Sequence, residues 1–422
     1  MPLLVMLLSL VLPGPTALAS DPGEYTVQPG DTLWAIALRN NTTVEALSRA
    51  NSISDPSFIY VGQKLFLDGA APGLTPAGPG TPPAATPGPS RPRLQHKPVK
   101  ALYMTFFAIG SQAFRDHAFG LIEDTELNAV VIDVKGDRGY VAFPSQLPLA
   151  REIGALDYVT MMDIDELMVY LKEKRIYTIA RVVVFKDNPL AQARPDLAVR
   201  NGRTEGRWID NEGLAWTDPF KEEVWDYNLA IAREAAEKGF DEVQFDYIRF
   251  PTDGDVQGAV FSQEATRESR QAAIQGFLSR ARQELKPLGV KVAIDTFGYT
   301  TWRDDDMGLG QRLEDLASVV DVISPMVYPS TFANGIPGYV NAVAHPYEIV
   351  FYSLDKAMER VGDTGVEIRP WLQDFPDYAF DRRSFAAAEV LAQKKAAHDA
   401  GVSGWMLWDP RVKYTRDALA PP

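Results

Sequence analysis

Two aspartates stand at similar positions in apolar, strand-like segments of this chain. Asp246 ends the segment EVQFD, and Asp295 lies within KVAIDTF. Hydrolysis of a glycosidic bond requires two carboxyl groups, one protonated and one ionised. We therefore predict that Asp246 is the nucleophile or charge stabiliser and that Asp295 is the general acid/base. Asp133 and Asp409 lie at the ends of other strand-like segments and are reserve carboxylates.

Basic and aromatic side chains surround the same segment ends. Arginine and lysine can orient carboxylates or donate hydrogen bonds to sugar hydroxyl groups, and aromatic faces suit the apolar side of a pyranose ring. The predicted substrate-binding residues are Lys135, Arg181, Arg249, Tyr247, Phe297, Tyr299, Trp302, Tyr328, Trp371 and Trp408. A structural alternative stays open, in which Asp133 and Asp246 are only buried partners of the nearby cations.

The sequence offers few residues for other kinds of chemistry. It contains no cysteine, and its four histidines are scattered without the spacing of a metal site. No G-x-S-x-G nucleophile elbow occurs. Aspartates alone could bind a metal, but no other feature of the sequence supports such a site. We therefore predict neither a metal nor a cofactor.

Strand-like and helix-like segments alternate from about residue 99 to the end of the chain. Helical patterns span residues 165–174, 222–239, 269–289 and 385–401. The strand candidates span residues 101–107, 129–134, 178–184, 242–246, 291–297, 319–328, 367–372 and 404–408. This alternation predicts a (β/α)₈ TIM barrel over residues 99–420, whose C-terminal strand ends form the active site. An open doubly wound sheet is the alternative, although no glycine-rich phosphate loop follows the first strand.

Residues 24–68 have the pattern of a small separate domain with the order β-α-α-β. The segment begins with YTVQPGDTLWAIA, continues through LSRAN and closes with VGQKLFL. These motifs closely resemble the LysM family, whose members bind glycans that contain N-acetylglucosamine, such as peptidoglycan or chitin. The resemblance implies a glycan-binding groove formed by Gly30, Asp31, Thr32, Asn51 and Ile59. Thr32 and Asn51 also suit helix caps, and both roles can coexist.

The remaining segments predict export and a tether between two domains. Residues 1–20 combine a short apolar run with the cleavage motif Ala17-Leu18-Ala19, as in a signal peptide, although no Lys or Arg precedes the run. Residues 69–98 are rich in Pro, Gly and Ala and predict an extended linker. We therefore expect a secreted, extracellular protein that associates with the cell wall.

The composition narrows the class of partner. The chain has 422 residues, of which 46% are hydrophobic, and a net charge of −14. The hydrophobic content suffices for a large core, whereas the acidic balance argues against binding nucleic acid, which requires a basic face. No segment of the predicted mature protein is long and apolar enough to span a membrane. The expected partners are a polysaccharide substrate and, through LysM, a peptidoglycan or chitin-like glycan; the sequence indicates no particular oligomeric state.

A second resemblance covers about residues 100 to 410. The segments NAVVIDVKGDRGYVAFPS, EVQFDYIRFPTDG and AIDTFGYTTW are similar to those of a bacterial family of proposed glycoside hydrolases, formerly described only as a domain of unknown function. The resemblance implies a TIM barrel distantly related to retaining α-glycosidases. In those enzymes an aspartate at the end of the fourth strand is the nucleophile, and that position is Asp246 here.

Chitinase-type barrels provide a contrast at the same strand. Their pattern is D-x-x-D-x-D-x-E, in which the final glutamate is the acid. The corresponding residues here are Asp241, Gln244, Asp246 and Ile248. Because an isoleucine replaces the catalytic glutamate, the sequence disfavours a substrate-assisted chitinase mechanism.

These features predict a cell-wall-associated glycoside hydrolase that acts on a polysaccharide. The alternative is a non-catalytic glycan-binding or scaffold protein on a degenerate TIM barrel, because Ile248 stands where a chitinase has its acid. The alternative gains support if no second carboxyl group lies within about 10 Å of Asp246 in an open cleft.

Overall fold

The computed structural model describes residues 24–27, 33, 36–37, 40, 42, 44–51, 53, 63–67, 98–402 and 404–422. These residues form two compact units, one built mainly from the first 91 residues and a larger one that contains the barrel. The predicted signal peptide and nearly all of the predicted linker lie outside the described residues.

The N-terminal unit pairs two short strands beside a small apolar core. β1 (Glu24–Thr26) runs antiparallel to β2 (Lys64–Phe66), and a helix spans Val44–Ala50. The buried side chains of the core are Val27, Leu33, Ile36, Ala37, Leu47 and Leu65. The two strands therefore hold both ends of the predicted LysM segment together.

Parallel strands close into a barrel in the second unit. The barrel strands are β3 (Val99–Met104), β4 (Ala129–Lys135), β5 (Tyr177–Val183), β7 (Glu242–Asp246), β9 (Lys291–Phe297), β10 (Val322–Met326), β11 (Glu367–Ile368), β12 (Trp371–Gln373) and β13 (Gly404–Trp408). Pro370, which lacks an N–H group, separates β11 from β12. These two short strands together occupy the seventh of the eight strand positions in the barrel. Because β13 pairs with β3 and β9 pairs with β10, the ring is complete, and the TIM-barrel prediction is confirmed. Two further strands outside the barrel, β6 (Arg200–Asn201) and β8 (Ala259–Val260), form an antiparallel pair.

Helices alternate with the barrel strands along the chain. They span Gln112–Asp124, Pro148–Glu152, Ile164–Glu173, Asn188–Ala193, Glu222–Lys238, Arg267–Leu285, Leu313–Ala317, Pro346–Val361 and Ala387–Asp399. Gly239 ends the helix that begins at Glu222, because its φ of 98° is a left-handed conformation that glycine adopts without strain. No helix among the described residues is long and apolar enough to cross a lipid bilayer.

A buried ion cluster fills the N-terminal end of the barrel interior. Arg369 and Glu242 are fully buried and joined at 2.9 Å, and Arg369 also donates to Glu367 at 3.0 Å. The hydroxyl of Tyr177 donates to Glu242 at 3.1 Å. Small and aliphatic side chains, including Val131, follow inside the barrel. The ion cluster therefore closes the barrel interior at this end, below the carboxyl ends of the strands.

Candidate active site

A cavity of about 280 Å³ lies at the C-terminal ends of the barrel strands. Its wall contains both predicted catalytic residues, Asp246 and Asp295, together with Asp137 and seven aromatic side chains. Seven of the ten predicted substrate-binding residues line it, namely Arg181, Arg249, Tyr247, Phe297, Tyr328, Trp371 and Trp408. The structure thus gathers, around one space, residues that are far apart in the sequence.

Arg181 is the central cation of this cavity. Its side chain is 1% exposed, and Nη1 donates to Asp133 at 2.7 Å. Nη2 donates to Asp137 at 2.8 Å. Both Nε and Nη2 donate to the same oxygen of Asp246, Oδ2, at 3.0 and 2.6 Å. One guanidinium therefore compensates and orients three carboxyl groups, and charge-assisted bonds of this kind are among the strongest in proteins.

Asp133 lies outside the cavity wall, where it binds Arg181. Its Oδ2 accepts hydrogen bonds from the Tyr103 hydroxyl at 2.6 Å and from the Phe106 amide at 3.0 Å. Burial raises the pKa of Asp133 to about 6, although Arg181 acts in the opposite direction. Because Asp133, unlike Asp246, does not line the cavity, this reserve carboxylate is placed to hold Arg181 rather than to meet a substrate.

The second oxygen of Asp246 is fixed by the backbone. The amide of Tyr247 donates to Asp246 Oδ1 at 2.6 Å. Tyr247 has a φ of 48°, a left-handed conformation that is unfavourable for an aromatic residue. Backbone strain of this kind is concentrated at functional sites. Here it accompanies a sharp turn at the end of β7 that leaves Asp246 facing the cavity.

Asp295 occupies a different electrostatic environment. It is 2% exposed, and it accepts hydrogen bonds from the Gln244 amide and the Trp371 indole, each at 2.7 Å. Both donors contact Oδ1, which leaves Oδ2 to carry a proton. Burial, followed by the negative charge of Asp246, raises the pKa of Asp295 well above its usual range. The arrangement favours a neutral Asp295 beside a paired Asp246 carboxylate.

Strand register explains why these two aspartates lie together. In the parallel pairing of β7 with β9, Gln244 is opposite Ala293 and Phe245 is opposite Ile294. The next step along both strands places Asp246 opposite Asp295. Neighbouring strands are about 4.8 Å apart, so the two backbones approach closely at the positions that carry the carboxyl groups.

Aromatic side chains form a packed floor and wall. The rings of Tyr103 and Trp408 stack with centroids 3.9 Å apart, and Trp371 meets Trp408 edge to face at 5.3 Å. The Arg181 guanidinium lies 5.2 Å from the Trp408 ring centroid. The aromatic rings therefore pack around the charged cluster.

Lys135 does not face the cavity, contrary to the prediction. It is fully buried, forms an ion pair with Asp187 at 2.8 Å and donates to Val183 O at 2.6 Å and Asn228 Oδ1 at 3.0 Å. An irregularity in β4 lies between Asp133 and Lys135, where the register with β5 shifts. A bulge of this kind redirects a side chain. Its contacts therefore suit a structural role in the barrel.

Three other predicted residues also lie outside the cavity wall. Asp409 is fully buried and is paired with Arg411 at 2.7 Å, so it is not free to act as a reserve acid. The Tyr299 hydroxyl donates to Gly335 O at 3.0 Å. The Trp302 indole donates to Ser353 at 2.8 Å. Their strand-end positions were predicted correctly, but the loops turn these side chains into the surrounding packing.

Of the five residues predicted to form the LysM groove, the structure describes one, Asn51. Asn51 donates through Nδ2 to Leu47 O and Phe66 O, at 2.8 and 2.9 Å, and accepts from the Phe66 amide at 2.6 Å. This amide therefore links the helix to β2. The other predicted groove residues, Gly30, Asp31, Thr32 and Ile59, lie outside the described residues.

Three residues that build the site were not among the predicted site residues. Gln244 orients Asp295, Asp137 pairs with Arg181, and Tyr103 donates to Asp133. Gln244 precedes Asp246 by two positions, so the alternation of a strand places both on the interior face. That alternation is the signal that could have identified Gln244.

A single arginine binds three of the carboxyl groups of this site. No group of three or more acidic or histidine side chains among the described residues is arranged to hold a metal ion. Arg181 takes the position between Asp133, Asp137 and Asp246 that a cation would require. The chemistry available from these side chains is proton transfer and nucleophilic attack by a carboxylate.

Comparison with known families assigns both parts of the chain. Residues 101–414 match the family model described as "Putative glycosyl hydrolase domain". Residues 25–68 match the LysM domain model. Both resemblances noted in the sequence are thereby confirmed.

Individual relatives match only part of the chain or show the fold alone. The uncharacterized lipoprotein YgeR of Escherichia coli is 48% identical over 75 residues, which are 16% of this chain and 30% of that protein. A probable N-acetylmuramidase of Lactococcus lactis is 47% identical over 47 residues, 11% of this chain and 10% of that protein. The solved PgaB (BpsB) glycoside hydrolase domain of Bordetella bronchiseptica has a TM-score of 0.55 at 13% identity, covering 77% of this chain and 99% of that domain.

Proposed function

Since the chain belongs to the glycosyl hydrolase family that its residues 101–414 match, we propose that it hydrolyses a cell-wall polysaccharide with Asp246 as nucleophile and Asp295 as general acid/base. The LysM domain, by the binding typical of its family, holds the enzyme on peptidoglycan or another glycan that contains N-acetylglucosamine.

The opposed environments of Asp246 and Asp295 carry this proposal. Asp246 receives two charge-assisted hydrogen bonds from the Arg181 cation. Asp295 receives its hydrogen bonds from neutral groups and has a raised pKa. A glycosidase needs one carboxyl group of each kind facing the same bond.

The proposed reaction has two steps. In the first, Asp295 Oδ2 transfers its proton to the glycosidic oxygen while an Asp246 oxygen attacks the anomeric carbon, so the bond to the leaving sugar breaks. In the second, Asp295 removes a proton from water, and the resulting oxygen attacks the anomeric carbon and releases Asp246. Both carboxyl groups return to their starting states.

The proximity of the two strands favours retention of anomeric configuration. Retaining enzymes place their carboxyl groups roughly 5 to 5.5 Å apart, whereas inverting enzymes need roughly 6.5 to 9.5 Å to admit a water. Continuing the register of β7 and β9 by one residue places Asp246 directly opposite Asp295 on the adjacent strand. The Ile248 side chain is fully buried, so no acid takes the place of the chitinase glutamate.

Cell-wall attachment and export form the localisation part of the proposal. The LysM match and the names of two relatives, a lipoprotein and a probable N-acetylmuramidase, support a role at the cell wall. The chain spans less than a third of either relative, so the activity named for the second is not carried over. The signal-peptide pattern of residues 1–20 supports secretion.

A hydrolysis screen tests the proposal. Purified wild type, Asp246→Asn and Asp295→Asn are incubated with peptidoglycan, chitin oligomers, α-glucans and galactosaminoglycans, and new reducing ends are measured. We expect wild-type activity on at least one glycan and strong loss in both variants. Binding without hydrolysis across the panel would instead support the scaffold alternative.

A further inference from the structure

Arg249 is the second arginine of the cavity, and it has no acidic partner. No carboxylate of the described residues lies within 4 Å of it, whereas Arg181 has three such partners. Only Nη1 of Arg249 donates, to Phe250 O at 3.2 Å and to the Thr252 hydroxyl at 3.1 Å. Nε and Nη2 form no hydrogen bond with the described residues, and neither is sealed from solvent.

Three aromatic rings hold this guanidinium in place. Its central carbon lies 5.0 Å from the ring centroids of Trp216 and Tyr247 and 4.9 Å from that of Phe297. Phe297 and Tyr247 line the cavity with Arg249, while Trp216 is buried behind them. Such stacking fixes the plane of an arginine without using its outer N–H groups.

The cation is therefore poorly compensated inside the protein. Burial lowers the pKa of Arg249, and the nearest opposing influences, from Tyr247, Asp246 and Asp253, do not reach ion-pair distance. A half-buried arginine normally gains a carboxylate or phosphate partner, because its planar fork binds two oxygens at once. Here Arg249, with its unused donors, lines the space that we assign to substrate.

Arg249 is also placed next to the reacting groups. It follows Asp246 by three residues, and Phe297, on which it stacks, follows Asp295 by two residues on the adjacent strand. An oxyanion bound by Arg249 would thus belong to a sugar beside the bond that is cleaved.

From this arrangement we propose that Arg249 recognises a carboxylate on the substrate, and that the enzyme cleaves an acidic glycan next to a carboxylated sugar. The inference rests on the proposed function, and it names the substrate class of the same site. The carboxylate belongs either to a uronic acid or to the lactyl ether of muramic acid, which present the same planar anion.

The net charge of −14 does not oppose this recognition at short range. Charge repulsion between the whole protein and an acidic polymer is screened over about 8 Å at physiological ionic strength. A direct bidentate contact acts within that distance. We therefore expect Arg249 to bind one carboxylate by direct contact, and we do not expect tight general binding of polyanions.

Matched substrate pairs test the inference with the full-length protein. One pair is peptidoglycan glycan strands with free muramic acid carboxyl groups and the same strands after reduction of these groups to alcohols. The other pair is oligogalacturonate and its carboxyl-reduced form. Binding is measured by calorimetry with Asp295→Asn, and kcat/KM is measured with the wild type.

We expect the acidic member of one pair to be preferred by roughly 10- to 100-fold, as for a charge-assisted hydrogen bond; the preferred pair identifies the source of the carboxylate. In the Arg249→Gln background the ratio of acidic to reduced substrate falls to about one. Arg249→Lys retains the charge without the bidentate fork and gives an intermediate ratio. The control, Arg416→Gln, removes an exposed arginine paired with Asp124 and keeps the wild-type ratio.

Equal binding and turnover of both members of each pair by proteins with intact Arg249 would overturn the inference. Hydrolysis that is lost in Asp246→Asn would still support the proposed function in that case. Conversely, preferential binding of the acidic member without turnover of any glycan would contradict the proposed hydrolase and leave carboxylate recognition standing.

Discussion

Arg181 donates two hydrogen bonds to a single oxygen of Asp246, from Nε at 3.0 Å and from Nη2 at 2.6 Å. The same guanidinium also binds Asp133 and Asp137. Asp246 is thereby held as a paired carboxylate, while Asp295 on the next strand is buried among neutral donors. The proposed division of roles between the two carboxyl groups is based on this difference.

Trp371→Phe removes one neutral donor from Asp295. The indole N–H stabilises the ionised form and lowers the pKa of Asp295, so its loss raises that pKa further. Because the reaction requires protonated Asp295, activity is lost as the pH rises through this pKa. We expect the basic limb of the kcat/KM profile to move to higher pH in the variant.

Trp302→Phe is the matched control for that profile. Its indole donates to Ser353, and it does not line the cavity. An unchanged basic limb in Trp371→Phe, or an equal displacement in both variants, would contradict the acid role of Asp295.

Asp374→Asn tests how burial of a carboxyl group affects stability. Burial raises the pKa of Asp374 to about 6, compared with about 3.9 in an unfolded chain. The folded state thus binds the proton more tightly, so its stabilising effect is complete below about pH 4 and disappears as the pH rises to about 6. Because the pKa of Asp374 is higher by about 2 in the folded state, the protonated group contributes about 3 kcal/mol to the unfolding free energy.

The wild type should therefore lose about 3 kcal/mol of unfolding free energy relative to Asp374→Asn between pH 4 and pH 7. Urea denaturation followed by tryptophan fluorescence measures this difference. Asp363→Asn, at an exposed position, serves as the control. A pH-independent difference between wild type and Asp374→Asn would show that this carboxyl group titrates normally.

Lys135→Met is predicted to destabilise the barrel without acting through substrate. It leaves the fully buried Asp187 without its cation, which costs about 3 to 5 kcal/mol. The double variant Lys135→Met/Asp187→Asn removes the unpaired Asp187 charge and should recover part of the lost unfolding free energy. Urea midpoints of the three proteins provide the comparison.

Lys395→Met provides the surface counterpart, because Lys395 is 67% exposed in its pair with Asp399. Exposed pairs contribute about 0 to 1 kcal/mol. If Lys135→Met were as stable as Lys395→Met, and only its KM for glycan rose, the original prediction of Lys135 as a substrate-binding residue would be correct.

The barrel and the positions of its chemistry were predictable from the sequence because both depend on periodic patterns. Apolar segments identified the eight strands of the barrel, and parallel strands bring their C-terminal ends to one face. Asp246 and Asp295 were found in this way, and the register of β7 and β9 places them side by side. The anomeric outcome was not predictable, because it depends on the separation of two side chains.

The errors have local physical causes. Lys135 follows Asp133 by two residues and should share its face, but the irregularity in β4 turns it outward to Asp187. Asp409 is a strand-end acid like Asp246, yet the arginine two residues later takes it as a partner. Bulges and loop pairings of this kind leave no periodic signal in a single sequence.

The most direct test of the central claim compares Asp246→Asn with Asp295→Asn on two forms of the sugar that the screen identifies. One form is the natural glycoside, and the other is an aryl glycoside whose leaving group needs no proton. The measured quantity is kcat/KM, which reports the step that releases the leaving group. We predict that Asp246→Asn loses at least about 10³-fold on both forms, whereas Asp295→Asn loses about 10² to 10⁴-fold on the natural glycoside and recovers most of that loss on the aryl glycoside. Full activity of Asp246→Asn on either form would contradict the account.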